Sequence, residues 1–199
     1  YNSSIKKIRC GDKMLNIIDQ SFINFISTIH NSILDKIMII FTSLGDDGII
    51  WIILLLILLG IKKTRKVGFL MLVSVLLALF FNDLLKDVFN RERPYTYLNI
   101  VPLVKASRTS SFPSSHTSVA FAVLGVYSYF KLKYKPIIAI MAFGIGFSRI
   151  YLNLHYFTDV LAGIGLGLGI SYIVIYMYSH ILRLTKKRQL RLSEKKVIG

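Results

Sequence analysis

The chain has 199 residues, 54% of them hydrophobic and 18% charged, with a formal net charge of +15 and a mean hydropathy of +0.58. A soluble domain is nearer half apolar and a quarter charged, and here the apolar residues are gathered into nearly charge-free runs at 49–61, 67–81, 120–130, 136–147 and 160–178. That clustering excludes an ordinary soluble domain and calls for several helices in lipid. The basic residues lie between the runs, which fits membrane orientation and anionic lipid headgroups; no nucleic-acid motif accompanies them.

In chain order, residues 1–31 are expected to form a basic N-terminus and an amphipathic interfacial helix. Leu15, Ile18, Phe22, Phe25, Ile26 and Ile29 share one helical face, while Asn16, Asp19, Gln20, Asn24 and Ser27 fall largely elsewhere. A short helix at 32–44 is marginal as a crossing, because Asp35 and Lys36 sit near its start. Spans are predicted near 46–61, 66–88, 114–131, 135–151 and 157–181, with 32–182 as one membrane-embedded domain. The predicted class is all-α: a polytopic bundle of about five to six transmembrane helices. Trp51 reads as an interfacial anchor. Gly163/Gly167 and Gly165/Gly169 are small-xxx-small pairs suited to packing within the monomer.

Positive charge predicts the orientation. Lys62, Lys63, Arg65 and Lys66 form one cluster, Lys131, Lys133 and Lys135 a second. The third is the tail, 183–199, with Arg183, Lys186, Lys187, Arg188, Arg191, Lys195 and Lys196. Alternating crossings put all three on the cytoplasmic side, and Lys6, Lys7, Arg9 and Lys13 prefer that side too. Segments 45–48, 89–113 and 151–157 then share the outer face. Asp46 and Asp47 are expected in a turn there.

Those outer segments carry polar groups that are costly near membrane depth and are functional candidates for that reason. Lys86, Arg93 and Arg149 are three cations able to clamp a dianion and stabilise charge in an in-line transfer. Ser114 and Ser115, with the N–H groups of 115 and 116, open a helix and offer an anion site. His155 and Asp159 are four apart, so on a helix Asp159 can orient the ring and leave its other nitrogen free to attack phosphorus. His116 is the second imidazole, suited to acid/base work. A metal held by His116, His155 and Asp159 is disfavoured by the neighbouring cations, and no HExxH motif or cysteine pair is present.

These residues resemble the signatures of the type 2 phosphatidic acid phosphatase (PAP2) superfamily, which also holds bacterial acid phosphatases and vanadium haloperoxidases. KDVFNRERP from Lys86 to Pro94 matches Lys, six residues, Arg-Pro. PSSH from Pro113 to His116 matches Pro-Ser-Gly-His with Ser115 in place of Gly. SRIYLNLHYFTD from Ser148 to Asp159 matches Ser-Arg, five residues, His, three residues, Asp. The resemblance spans roughly 32 to 181. It implies His155 as nucleophile forming a phosphohistidine, Asp159 as its orienter and His116 as acid/base. Lys86, Arg93, Ser114 and Arg149 are implied as phosphate ligands, beside Ser115, and no metal or other cofactor is implied.

Within the family the chain resembles the bacterial undecaprenyl pyrophosphate phosphatases first, then the phosphatidylglycerophosphate and phosphatidic acid phosphatases. The implied location is a bacterial plasma membrane, with the site on the extracellular or periplasmic side and the C-terminus cytoplasmic. The implied partners are a lipid phosphate and anionic headgroups, with no protein partner. Arg91 is a candidate for contacting a diphosphate. A transporter or an inactive lipid-binding protein is the alternative of a different class, and phosphate release separates them.

Overall fold

A computed structural model describes residues 10–198, with side chains described over 17–191. Lys6, Lys7 and Arg9, and the side chains of Lys13, Leu15, Asn16, Lys195 and Lys196, lie outside the described residues.

Every element among the described residues is helical: α1 (Cys10–Ile29), α2 (Ser32–Gly45), α3 (Ile49–Gly60), α4 (Arg65–Phe89), α5 (Pro94–Tyr97), α6 (Ser115–Tyr129), α7 (Lys135–Tyr151) and α8 (Phe157–Ile198). The all-α expectation stands. The count of five to six transmembrane helices does not. Among the described residues, three stretches are long and apolar enough to cross a membrane: Ser32–Gly60, Arg65–Tyr97 and Phe157–Arg191. The separate expectations at 32–44 and 46–61 merge into the first of these, interrupted by a 3-10 turn at Asp46–Gly48 where Asp47 (φ 52°) and Gly48 (φ 67°) are left-handed.

The stretches expected at 114–131 and 135–151 are α6, with 15 residues, and α7, with 17. At 1.5 Å per residue these reach about 22 and 26 Å, short of a hydrocarbon core of roughly 30 Å. One physical source of the overcount is α6. It packs on α4, α7 and α8, and Thr117 through Leu124 are all buried. A short helix that is apolar all round reads alike whether lipid or protein surrounds it.

Small residues let α6 and α8 approach. A Cβ on Gly163 would stand 2.8 Å from Ser114 O, and one on Gly167 would collide with Ser118 O. Gly165 and Gly169 meet nothing within 4 Å. One of the two glycine pairs therefore serves packing inside the chain. Trp51 is 4% exposed; it is a buried core residue rather than an interfacial anchor.

α1 is turned differently from the expectation. Asp19 is 2% exposed and Ile26 1%, whereas Ile18 and Phe25 are exposed. The inward stripe is Asp19, Phe22, Ile26 and Ile29. Phe22 stacks on Phe157 with centroids 3.7 Å apart, and Ile26 joins a core cluster with Tyr151, Leu154 and Val160.

Candidate active site

Four pieces of chain end at one place. α4 stops where Asn90 takes a left-handed conformation (φ 40°), leaving Lys86 in its last turn. The extended residue Arg93 then leads into α5, with Pro94 at its start, where a missing N–H costs nothing. α6 starts after Ser114, whose N–H bonds Asp159 O at 3.1 Å and ties the second signature to the third. Past α7, the N–H groups of Leu154 and His155 both return to Arg149 O at 3.0 Å. That tight turn brings His155 round beside Arg149.

Six of the predicted residues, Lys86, Arg93, Ser115, His116, Arg149 and His155, line one polar cavity of about 610 Å³. Asp159 stands behind His155, fully buried. Ser114 is also buried, and its Oγ accepts from Thr117 Oγ1 at 2.9 Å rather than facing the cavity.

His155 lies before α8 begins, so the expected helical i, i+4 geometry is replaced by a turn that still pairs it with Asp159. Its Nδ1 is 3.5 Å from Asp159 Oδ2. Its Nε2 is 3.2 Å from Arg93 Nη1. A guanidinium only donates, so Nε2 carries the lone pair, the proton sits on Nδ1, and Nε2 faces the cavity. Burial foremost holds the His155 pKa down at about 3, against the raising effect of Asp159, so the ring is neutral at physiological pH. Arg93 is fixed in turn by Thr109 O at 2.9 Å and Leu154 O at 3.0 Å.

Among the described residues, the buried side-chain polar atoms without a hydrogen-bond partner are Ser115 Oγ and Arg149 Nε. Both belong to cavity residues. Native interiors rarely leave such groups unmatched, and a phosphate oxygen satisfies both a hydroxyl and a guanidinium.

Several site residues were missed or assigned otherwise from sequence. Asp46 Oδ1 bonds His116 Nε2 at 3.0 Å; the signal in the sequence is an acidic pair between two apolar runs, which by itself predicts only a turn. Ser111 donates to Asp159 Oδ2, and Lys105 and Arg108 line the cavity; no spacing rule marks them. Arg91 does not line the cavity and is bound elsewhere, to Asp19 and Asp159. Burial lowers the His116 pKa while Asp46 partly restores it. Among the described residues no group of three or more His, Cys, Asp or Glu could hold a metal ion.

A second, apolar cavity of about 320 Å³ opens beside the first, lined by Trp51, Leu55, Met71, Leu79 and Val119. Asp47, Ser115 and His116 line both.

Residues 67–183 match the PAP2 superfamily. The chain belongs to that superfamily. A phosphatidylglycerophosphatase B from Bacillus subtilis (strain 168) is 33% identical, over 71% of this chain and 73% of that protein. The undecaprenyl-diphosphatase BcrC of the same organism is 29% identical, over 77% of this chain and 79% of its own length. Among solved structures, a transmembrane PAP2-type phosphatidylglycerolphosphate phosphatase from Bacillus subtilis superposes with a TM-score of 0.71 at 30% identity, covering 84% of this chain and 88% of that one. This PAP2 protein is accordingly a multi-pass membrane enzyme and a lipid phosphatase.

Proposed function

We propose that this PAP2 enzyme hydrolyses a lipid diphosphate, undecaprenyl pyrophosphate, to the monophosphate without a metal ion and through a phosphohistidine. The observation that carries a lipid substrate is the meeting of the polar cavity and the apolar cavity at Ser115 and His116. A phosphate over His155 leaves its apolar tail beside Trp51 and Leu79.

In the first step His155 Nε2 forms a bond to the terminal phosphorus as the bridging P–O bond breaks, and His116 gives its proton to the departing oxygen. Asp159 stabilises the ring cation that results. Lys86, Arg93, Arg149, Ser115 and the N–H groups opening α6 hold the equatorial oxygens as charge builds. Water then attacks the phosphohistidine, His116 takes its proton, and inorganic phosphate leaves.

A diphosphate is favoured over a monophosphate by Lys105 and Arg108, which add two cations to the three already lining the cavity. Orientation is supported by the far end of the fold. Lys62, Arg65 and Lys66 cluster with Tyr178 of α8, which at 1.5 Å per residue is about 28 Å along the helix from Asp159. A basic end opposite the site fits an outward-facing cavity and a cytoplasmic C-terminus.

The test is inorganic phosphate release in detergent with EDTA, comparing undecaprenyl pyrophosphate, phosphatidylglycerophosphate and phosphatidic acid. A preference of tenfold or more in kcat/KM for the diphosphate, about 1.4 kcal/mol, is expected, and K105A/R108A should shrink it. A preference for phosphatidylglycerophosphate moves the enzyme to phospholipid synthesis with the same chemistry.

A further inference from the structure

A half-buried Arg91 and a buried Asp19 form an ionic arrangement that the proposed chemistry leaves unused. The Asp19 carboxylate accepts from Thr158 N at 3.0 Å and Thr158 Oγ1 at 2.8 Å, capping one N–H group at the start of α8. It also accepts from Arg91 Nη2. The other terminal nitrogen of Arg91, Nη1, donates to Thr158 Oγ1 at 2.8 Å and to Asp159 Oδ1. The guanidinium lies 4.0 Å over the Tyr156 ring. One planar fork thus joins a carboxylate of α1 to the carboxylate behind His155.

The two oxygens of Asp159 are divided. Oδ1 takes Arg91, while Oδ2 takes Ser111 Oγ and Tyr156 N and faces His155 Nδ1. With Oδ1 fixed, the carboxylate cannot rotate away from the ring. Arg91 in turn is held by Asp19, whose helix is seated by the Phe22–Phe157 stack and by Ile26. Asp159 is 0% exposed and Asp19 2%, so the shared guanidinium also offsets two carboxylates taken out of water.

We propose that Arg91 and Asp19 are positioning residues for the Asp159–His155 pair, and that α1 is therefore a structural part of the catalytic centre rather than a separate membrane anchor. This rests on His155 acting as nucleophile. Because neither Arg91 nor Asp19 lines the phosphate cavity, they act on the reacting geometry and not on substrate binding. α1 keeps Ile17, Ile18 and Phe25 exposed on its other side, so one helix presents apolar residues to the membrane surface and a carboxylate to the site.

The experiment measures kcat and KM for D19N, R91M, R91K and D19N/R91M, with H155A and wild type beside them, and thermal unfolding of each in detergent. R91M should lower kcat on the order of 10²-fold, the scale of a mispositioned reacting group, with KM within about twofold. R91K should fold, because it keeps the charge. It lacks the planar fork that bridges two carboxylates, and its kcat should drop about tenfold at unchanged KM. D19N should cost less than R91M, and the double variant should match R91M alone, since Asp19 acts through Arg91. Unchanged kcat in R91K, a rise in KM alone, or multiplicative single effects would overturn the proposal while H155A remained inactive. An active H155A would overturn the nucleophile assignment and this proposal together.

Discussion

Asp46 Oδ1 and His116 Nε2 lie 3.0 Å apart although 70 residues separate them in sequence. Gly45 allows the approach: a Cβ there would stand 2.9 Å from His116 Cδ2. The turn between α2 and α3 thereby holds the ring proposed as general acid. A general acid must be protonated, so kcat/KM should fall as pH rises through the His116 pKa, which burial sets below its ordinary value of 6.5. Asp46 opposes that lowering. D46N should move the alkaline limb to lower pH, read from a pH–rate profile of kcat/KM. An unmoved limb would remove Asp46 from the acid/base pair.

The other histidine gives a separate prediction. H155A should lose phosphate release by at least about 10³-fold, and rapid acid-free quenching should trap no phosphoenzyme. In the wild type His155 stays neutral down to about pH 3, so it should not contribute a limb to the rate profile between pH 5 and 8. Its linkage to stability has a definite sign. The folded state resists a proton that the unfolded chain accepts near pH 6.5, so stability is fully present above that pH and lost as pH falls towards 3. Thermal unfolding between pH 6.5 and 4 should slope less steeply in H155N.

Ser115 Oγ is buried and unpartnered. If it meets a phosphate oxygen, S115A should lower kcat/KM by roughly tenfold, the scale of one hydrogen bond to a charged group. Equal kcat/KM in S115A and wild type would leave the hydroxyl outside the phosphate-binding set.

Stability of the bundle rests on the α6–α8 contact. G167A places a methyl against Ser118 O and near Ala122 N, and such overpacking should cost about 1–3 kcal/mol. G165A, where nothing lies within 4 Å, should be neutral or slightly stabilising, because alanine favours helix. Parallel melting curves of the two variants check this.

Much of the site was legible because catalysis by fixed groups demands fixed spacing. Lys86, Arg93, Ser115, His116, Arg149 and His155 keep intervals set by local turns and line the cavity, while Asp159 stands behind His155 and Ser114 turns away. The number of membrane crossings was not legible in the same way. α6 is apolar because α4, α7 and α8 surround it, and hydropathy does not distinguish a lipid neighbour from a protein one. Asp19 shows the reverse failure: an acidic residue set off the apolar face of an interfacial helix is buried, with Arg91 and Thr158 paired to it.

Composition and short-range spacing are properties of the linear chain, and they suffice for a helical membrane protein and for the positions of its cations, histidines and Asp159. Which of those groups face the cavity, that Ser114 turns away, and that Asp46, Ser111 and Asp19 stand beside the signature residues are matters of packing. Those partners approach from separate helices. Their pairing depends on how α1, α2 and the 98–112 segment pack against the ends of α6 and α8, and no interval along the chain encodes that distance.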